Sequence, residues 1–299
     1  MMMIEMCHSL GVRIRGSVTV NHFLIKKITN FKRMHAISTY TFPTLDHFHF
    51  SEFTSLYEPA EDTYLLCDSL SQDLVDETGS SFFPISLVVE IGSGSGVVSA
   101  HVLNLLSLHG NPRPLSLCID ISPISCNASL RTATANDRSR SNFPVDAICS
   151  DLLGSLLPRI QGNVDLLIFN PPYVPTPDDE VISQSKAHSL SQSLSSSIPS
   201  NSAENKSSTN ALDLESHFLT ASWAGGERGR RVLDRALPQI AASLSRPNGR
   251  AYIVLVEENN PIQIEKEVSI KYGLKMKIIK RTKAKNENLL VVLLTFASH

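Results

Sequence analysis

The chain has 299 residues, 42% of them hydrophobic, and a formal net charge of −2. That length suits one large α/β domain with flanking additions better than two equal domains, and the near-neutral charge offers no global basic field for non-specific nucleic-acid binding. No run approaches the roughly 20 apolar residues needed to span a bilayer, and five scattered cysteines without a C-x-x-C pair exclude a disulfide framework and a zinc site.

Residues 1–35 are basic, with Arg13, Arg15, Lys26, Lys27, Lys32 and Arg33 against Glu5 alone. Two readings fit: a weak organelle-targeting segment, or an upstream extension with Met34 as an alternative start. Residues 1–52 show no clean periodicity and are expected to be an irregular extension, with the main domain over 53–299. Apolar residues at Tyr64, Leu65, Leu70 and Leu74 predict a helix from Glu61 to Leu74. The run Ile85–Ile91 predicts a buried strand ending in glycines, and Val97–Leu108 a helix. Leu115–Ile119 is a second strand ending at Asp120, Ser125–Asn136 a helix, and Val145–Cys149 a third strand followed by Asp151. Val164–Phe169 is a fourth strand, Arg230–Ser245 a helix, Ala251–Val256 a fifth strand and Pro261–Tyr272 a last helix. Leu274–Arg281 and Leu289–Phe296 close the chain as a strand pair with a turn near Lys285–Asn288. Strand and helix alternate until that pair, which predicts a mostly parallel α/β sheet with an antiparallel strand added late.

One segment breaks the order. Twelve serines lie between Ser183 and Ser208, with few apolar residues and no period. Such a segment cannot bury enough surface to offset its ordering entropy, so 183–214 is expected to be a disordered insertion.

The cysteines Cys7, Cys67, Cys118, Cys126 and Cys149 read as reduced thiols of an intracellular protein, in the cytoplasm or nucleus. Cys118 and Cys149 lie in apolar runs and are expected in the core. The ten histidines show no ligand spacing, and no metal site is expected.

Four strand ends carry the chemistry. Glu90-Ile91-Gly92-Ser93-Gly94-Ser95-Gly96 follows a strand and opens a helix, the context of a nucleotide-type site. Val97 replaces the last glycine of a dinucleotide fingerprint, so the turn suits a ligand without a pyrophosphate. Gly92 and Gly94 let the backbone approach such a ligand closely, and Glu90 offers a carboxylate to a cationic amine. Asp120, at the end of the second strand, is placed to accept ribose hydroxyls. Asp151 can accept from an adenine amino group while Leu152 covers the ring. After the fourth strand comes Asn170-Pro171-Pro172-Tyr173. The prolines end the strand abruptly and stiffen the loop. It presents an amide, a carbonyl and an aromatic ring at the end where open α/β sheets bind ligands.

Two other motifs read more plainly. Gly225-Gly226-x-x-Gly229 is expected to be a tight turn packed under the cofactor loop, with Trp223 in the core. The run Lys275, Lys277, Lys280, Arg281, Lys283, Lys285 reads as a solvated face.

Together these residues resemble the class I S-adenosylmethionine-dependent methyltransferases, a Rossmann-like fold on a seven-stranded, mostly parallel sheet. The Asn-Pro-Pro-Tyr loop resembles that of enzymes acting on exocyclic adenine nitrogen or glutamine amides. Tyr57-Glu58-Pro59-Ala60-Glu61-Asp62-Thr63, Glu90 to Val98, and Trp223 to Arg230 resemble the eukaryotic and archaeal HemK-like (PrmC-related) branch. The resemblance covers roughly Tyr57 to Phe296, apart from the insertion. It implies S-adenosylmethionine as cofactor, held by Thr63, Glu90, Gly92, Gly94, Asp120, Asp151, Leu152 and Asn170. It implies catalysis by Asn170, Pro171 and Tyr173. The implied substrate is the glutamine of the Gly-Gly-Gln loop of a class 1 peptide-chain release factor. The implied partner is a small zinc-binding activator protein in a heterodimer. Adenine in DNA or RNA, and a histone lysine, are the alternative substrates. The charge and the absence of an added target domain argue against a nucleic-acid partner, and no membrane association is expected.

Overall fold

The computed structural model describes residues 42–77, 85–108, 114–138, 144–177, 217–284 and 287–297. The expected insertion at 183–214 and the expected extension up to residue 41 lie outside these described residues.

The first helix, α1, runs Glu61–Glu77 with Glu61 and Asp62 in its first turn, where acidic groups face the positive end of the helix dipole. Strand β1 is Leu87–Ile91, and helix α2 is Val97–Leu108. Strand β2 is Leu115–Asp120. Helix α3 is Pro123–Ala135, with Pro123 in its first turn and the Ser122 hydroxyl accepting from the Ser125 amide, a proline-and-cap start. Strand β3 is Val145–Cys149. A short helix α4, Leu157–Ile160, precedes β4, Leu166–Phe169. Helix α5 is Arg231–Ser243, β5 is Arg250–Val256 and α6 is Pro261–Tyr272. Strands β6, Leu274–Lys283, and β7, Asn288–Phe296, complete the sheet.

The seven strands lie in the order β3-β2-β1-β4-β5-β7-β6. All neighbouring pairs are parallel except those of β7, which runs antiparallel to both β5 and β6. The sequence reading of one late antiparallel strand therefore holds, and its strand ends fall within two residues of most of the observed ones.

Strand alternation sorts the apolar residues into two cores. Val89, Ile91, Leu167, Phe169 and Ile253 face one side, packed with Leu233, Leu237 and Ile240 of α5 and Ile264 and Val268 of α6. Val88, Leu166, Ile168, Tyr252 and Val254 face the other, packed with Leu66 and Leu70 of α1 and Val98, Val102 and Leu105 of α2. A strand buried on both faces must be apolar at every position, and β4 is: all four of its residues are buried.

The topology places the site. From β1 the chain steps outward through β2 to β3, then returns to lay β4 on the opposite side of β1. The loops after β1 and β4 therefore leave in opposite directions and open a crevice at their C-terminal ends. Residue Ile91 pairs with Phe169 across that boundary, so the glycine turn and the Asn170 loop emerge side by side.

The two sheet edges differ. Strand β6 carries Lys275, Lys277 and Lys283 on its outer positions, a charged edge that resists further pairing. Strand β3 reads Val-Asp-Ala-Ile-Cys and, among the described residues, pairs only with β2. The expectation that Cys149 lies in the core is corrected here. It is exposed, whereas Cys118 on β2 is fully buried. An edge position exposes a strand whose composition reads as interior.

Candidate active site

One cavity at the C-terminal ends of β1, β2 and β4 is lined by every residue the sequence singled out: Thr63, Glu90, Gly92, Gly94, Asp120, Asp151, Leu152, Asn170, Pro171 and Tyr173. The turn after β1 is held by backbone bonds to β2. The amides of Gly92 and Ser93 donate to the Ile119 carbonyl at 2.7 and 3.2 Å. Gly92, Gly94 and Gly96 all have positive φ. At Gly96 the constraint is also steric, because a Cβ would sit 2.5 Å from the Ser129 Cα of α3.

Three carboxylates stand at or just past the ends of β1, β2 and β3. Glu90 is 3% exposed and accepts from the Ser99 hydroxyl. Burial pushes its carboxyl up to about 8, with the nearby Asp120 adding to the effect and the Ser99 bonds opposing it. A cationic group arriving beside Glu90 would reverse that penalty. Asp120 accepts the Gly94 amide on one oxygen and the Ser122 amide on the other, both at 2.9 Å. Burial raises its carboxyl despite those bonds. The Gly94 bond also locks the glycine turn to β2. Asp151 pairs through Oδ2 with Arg235 of α5, a residue the sequence did not single out. Leu152 follows at φ 55, a strained conformation for a branched side chain that brings it into the cavity wall.

The Asn170 loop is pinned from two sides. On one side, Asn170 Nδ2 donates to Asp62 Oδ2 at 3.0 Å. The same oxygen accepts from the hydroxyls of Tyr57 at 3.0 Å and Tyr173 at 3.1 Å. Burial raises both phenols, with the Asp62 charge adding to it, so both stay protonated donors. The Asp62 Oδ1 takes the Thr63 amide at 2.6 Å. With its amide nitrogen turned to Asp62, Asn170 is left with Oδ1 buried and without a hydrogen-bond partner among the described residues. A buried orphan acceptor costs on the order of 1–3 kcal/mol, so it marks a position built to receive a donor.

On the other side, the segment after the insertion presses on the loop backbone. Val174 donates to the Trp223 carbonyl at 3.1 Å, and Gly225 donates back to Val174 at 2.8 Å. A Cβ on Gly225 would lie 2.6 Å from the Pro172 carbonyl oxygen. The glycine turn thus packs on the Asn170–Tyr173 loop and not under the cofactor loop, which corrects the sequence reading. The expected core position of Trp223 is corrected too: it is 38% exposed and lines the cavity.

Sequence reasoning overlooked Asp62, Ser99 and Arg235. Asp62 stood in plain view within Tyr57–Thr63, but an aspartate in the first turn of a helix is ordinary. Arg235 sits on an amphipathic helix, where arginines are unremarkable.

Strand order, glycine turn and acidic strand ends define a class I methyltransferase. No family model matches the chain. It is 37% identical to the mouse protein named Methyltransferase HEMK2 over 224 residues, covering 75% of this chain and 82% of that one. It is 31% identical to the eRF1 methyltransferase catalytic subunit mtq2 of Schizosaccharomyces pombe over 219 residues, 73% of this chain and 79% of that one. It is 25% identical to a putative protein N5-glutamine methyltransferase of Methanocaldococcus jannaschii over 240 residues, 79% of this chain and 90% of that one. The chain belongs to the HemK-like methyltransferases, in the eukaryotic and archaeal branch that includes HEMK2 and Mtq2.

Proposed function

We propose that the protein transfers a methyl group from S-adenosylmethionine to the side-chain nitrogen of the glutamine in the Gly-Gly-Gln loop of a class 1 release factor. The observation that carries this reading is the orphaned, buried Oδ1 of Asn170, fixed by the bond from its own amide nitrogen to Asp62. The names of the relatives point the same way, one to eRF1 and another to glutamine N5.

S-adenosylmethionine supplies an electrophilic sulfonium methyl. Glu90, stripped of water beside the glycine turn, suits the ligand's ammonium group. Asp120 suits the ribose hydroxyls, and Asp151 with Leu152 suits the adenine. Thr63, Gly92 and Gly94 complete the wall. Arg235 occupies one oxygen of Asp151, which leaves the other for the adenine amino group.

A glutamine amide nitrogen is a poor nucleophile because its lone pair is delocalised into the carbonyl. Asn170 Oδ1 and the Pro171 carbonyl act as two acceptors for its two N–H groups. Held that way, the nitrogen pyramidalises and its lone pair turns toward the methyl donor. Prolines on either side of the acceptor carbonyl fix it in advance, so orientation is settled before substrate arrives. The nitrogen lone pair forms the new N–C bond as the S–C bond breaks, and sulfur keeps that electron pair. The extra proton on nitrogen, acidic once the bond forms, leaves to water. No side chain is assigned as general base. The ring of Tyr173 packs beside the planar amide.

The same reading supplies a partner and a compartment. Strand β3 is a sheet edge with one charged residue, Asp146, and no lysine, and covering it by strand addition from a small activator protein would remove an aggregation hazard. The mtq2 relative is named as a catalytic subunit, which supports a heterodimer. Translation termination and the free thiols fit a cytoplasmic enzyme. Among the described residues no helix is long and apolar enough to cross a membrane.

Replacing Asn170 with alanine tests the acceptor role. Methyl transfer is expected to fall by at least about 100-fold, well beyond any accompanying loss of cofactor affinity. Normal transfer with unchanged cofactor binding would contradict it.

A further inference from the structure

We propose that Asp62 is the positioning residue of the catalytic loop: by accepting from Asn170 Nδ2 it sets which end of the Asn170 amide faces the substrate. The inference rests on the reading of Asn170 as the amide acceptor and adds the residue that makes it one.

An asparagine amide has two nearly isosteric ends, one an acceptor and one a double donor. Only the acceptor end can hold a substrate N–H. A rotation of half a turn would present Nδ2 to the substrate and abolish the interaction. Nothing within Asn170 itself prevents that rotation. Its partner does. Asp62 Oδ2 lies 3.0 Å from Asn170 Nδ2, and a carboxylate oxygen only accepts, so the reversed amide would set oxygen against oxygen. Asp62 is 2% exposed, which keeps water from mediating a substitute bond.

The carboxylate is itself over-determined. Two hydroxyls, from Tyr57 and Tyr173, point at the same Oδ2. Its Oδ1 accepts the Thr63 amide at 2.6 Å and the Thr63 hydroxyl at 3.2 Å. Those donors come from the turn before α1, from α1 and from the Asn170 loop. Asp62 thus ties the segment that opens the domain to the loop that ends β4, 108 positions later. Such a tie preorganises an acceptor that would otherwise be free to turn.

The polarity of the pair can be exchanged. In an Asp62→Asn, Asn170→Asp double variant, the amide introduced at position 62 donates and the carboxylate introduced at position 170 accepts. The second oxygen of that carboxylate then replaces the Asn170 acceptor. The second N–H of the amide at position 62 donates to one of the Tyr57 and Tyr173 hydroxyls, which rotates from donating to accepting, and the Thr63 donors keep an oxygen partner. Either single change breaks the pair: Asn170→Asp sets two carboxylates face to face, and Asp62→Asn lets the amide adopt both orientations.

The test uses the full chain with its activator and measures methyl transfer to the release factor, cofactor affinity by calorimetry, and the Asn170 side-chain amide resonances. Each single variant is expected to lose about 10- to 100-fold in kcat, with thermal stability and cofactor affinity little changed in Asp62→Asn. The double variant is expected to recover at least about tenfold over the worse single. Separately from any substrate, the Asn170 Nδ2 protons are expected to shift on Asp62→Asn while resonances remote from the site stay in place. A double variant no better than the worse single, or an unmoved Asn170 amide, overturns the inference. If the wild type instead methylates another substrate, the release-factor reading fails, yet the pair is scored on that substrate and on the resonances.

Discussion

Gly229 lies against Tyr173 so closely that a Cβ on it would overlap the tyrosine's carbonyl oxygen, and its φ is +65. The turn that follows the serine-rich segment is therefore a buttress for the catalytic loop. Asn259 reinforces it, with Nδ2 3.0 Å from the Arg228 carbonyl and 3.5 Å from that of Tyr173.

Gly229→Ala should displace the loop or strain the turn. An expected loss of about 2–4 kcal/mol in unfolding free energy follows from overpacking at a left-handed position, read by denaturant titration. Methyl transfer should fall with it. A stable, fully active Gly229→Ala protein would show that the two backbones are not in contact.

Cofactor binding should release a proton. The Glu90 carboxyl titrates at about 8 when buried without a cation, so at neutral pH it is largely protonated and must ionise to hold an ammonium group. Affinity for S-adenosylmethionine should therefore weaken by up to about tenfold per pH unit below that value and level off above it. Calorimetry in buffers of different ionisation heat reads the released proton directly. Glu90→Gln should weaken binding and flatten the pH dependence. A wild type whose affinity is already flat through neutrality would remove Glu90 from the ammonium site.

Cys149 should be the most reactive thiol among the described residues. It is exposed at the β3 edge, its sulfur 3.5 Å from the Ile121 carbonyl. The neighbouring Cys126 thiol, which donates to the Asp120 carbonyl at 3.7 Å, holds the Cys149 thiol below the ordinary thiol range. The thiolate is the nucleophile, so alkylation by iodoacetamide should reach half its limiting rate at a lower pH than for an ordinary exposed thiol. Cys126→Ala should shift that midpoint upward. Adding the activator should protect Cys149 if strand addition covers β3. Equal labelling with and without activator would place the partner elsewhere.

The sheet was legible because the inner strands are mostly apolar runs, with β1 stopped by Gly92, β2 by Asp120 and β4 by Asn170 and two prolines. Helices Val97–Leu108 and Pro261–Tyr272 were legible to the residue. The residues lining the cavity were legible because topology forces successive strand ends together. What stayed hidden depends on partners distant in sequence. Exposure of Cys149 depends on whether another strand lies beyond β3, which its own side chains do not record. Likewise Asp62 differs from a routine helix-start aspartate only through Asn170, and Gly229 from a routine turn glycine only through Tyr173.

The most direct measurement is transfer of labelled methyl from S-adenosylmethionine, by the chain with its activator, to a class 1 release factor and to a version with alanine in place of the Gly-Gly-Gln glutamine. Label is expected on the first and none on the second. Equal labelling of both, or label only on nucleic acid or a histone lysine, would contradict methylation of the glutamine amide.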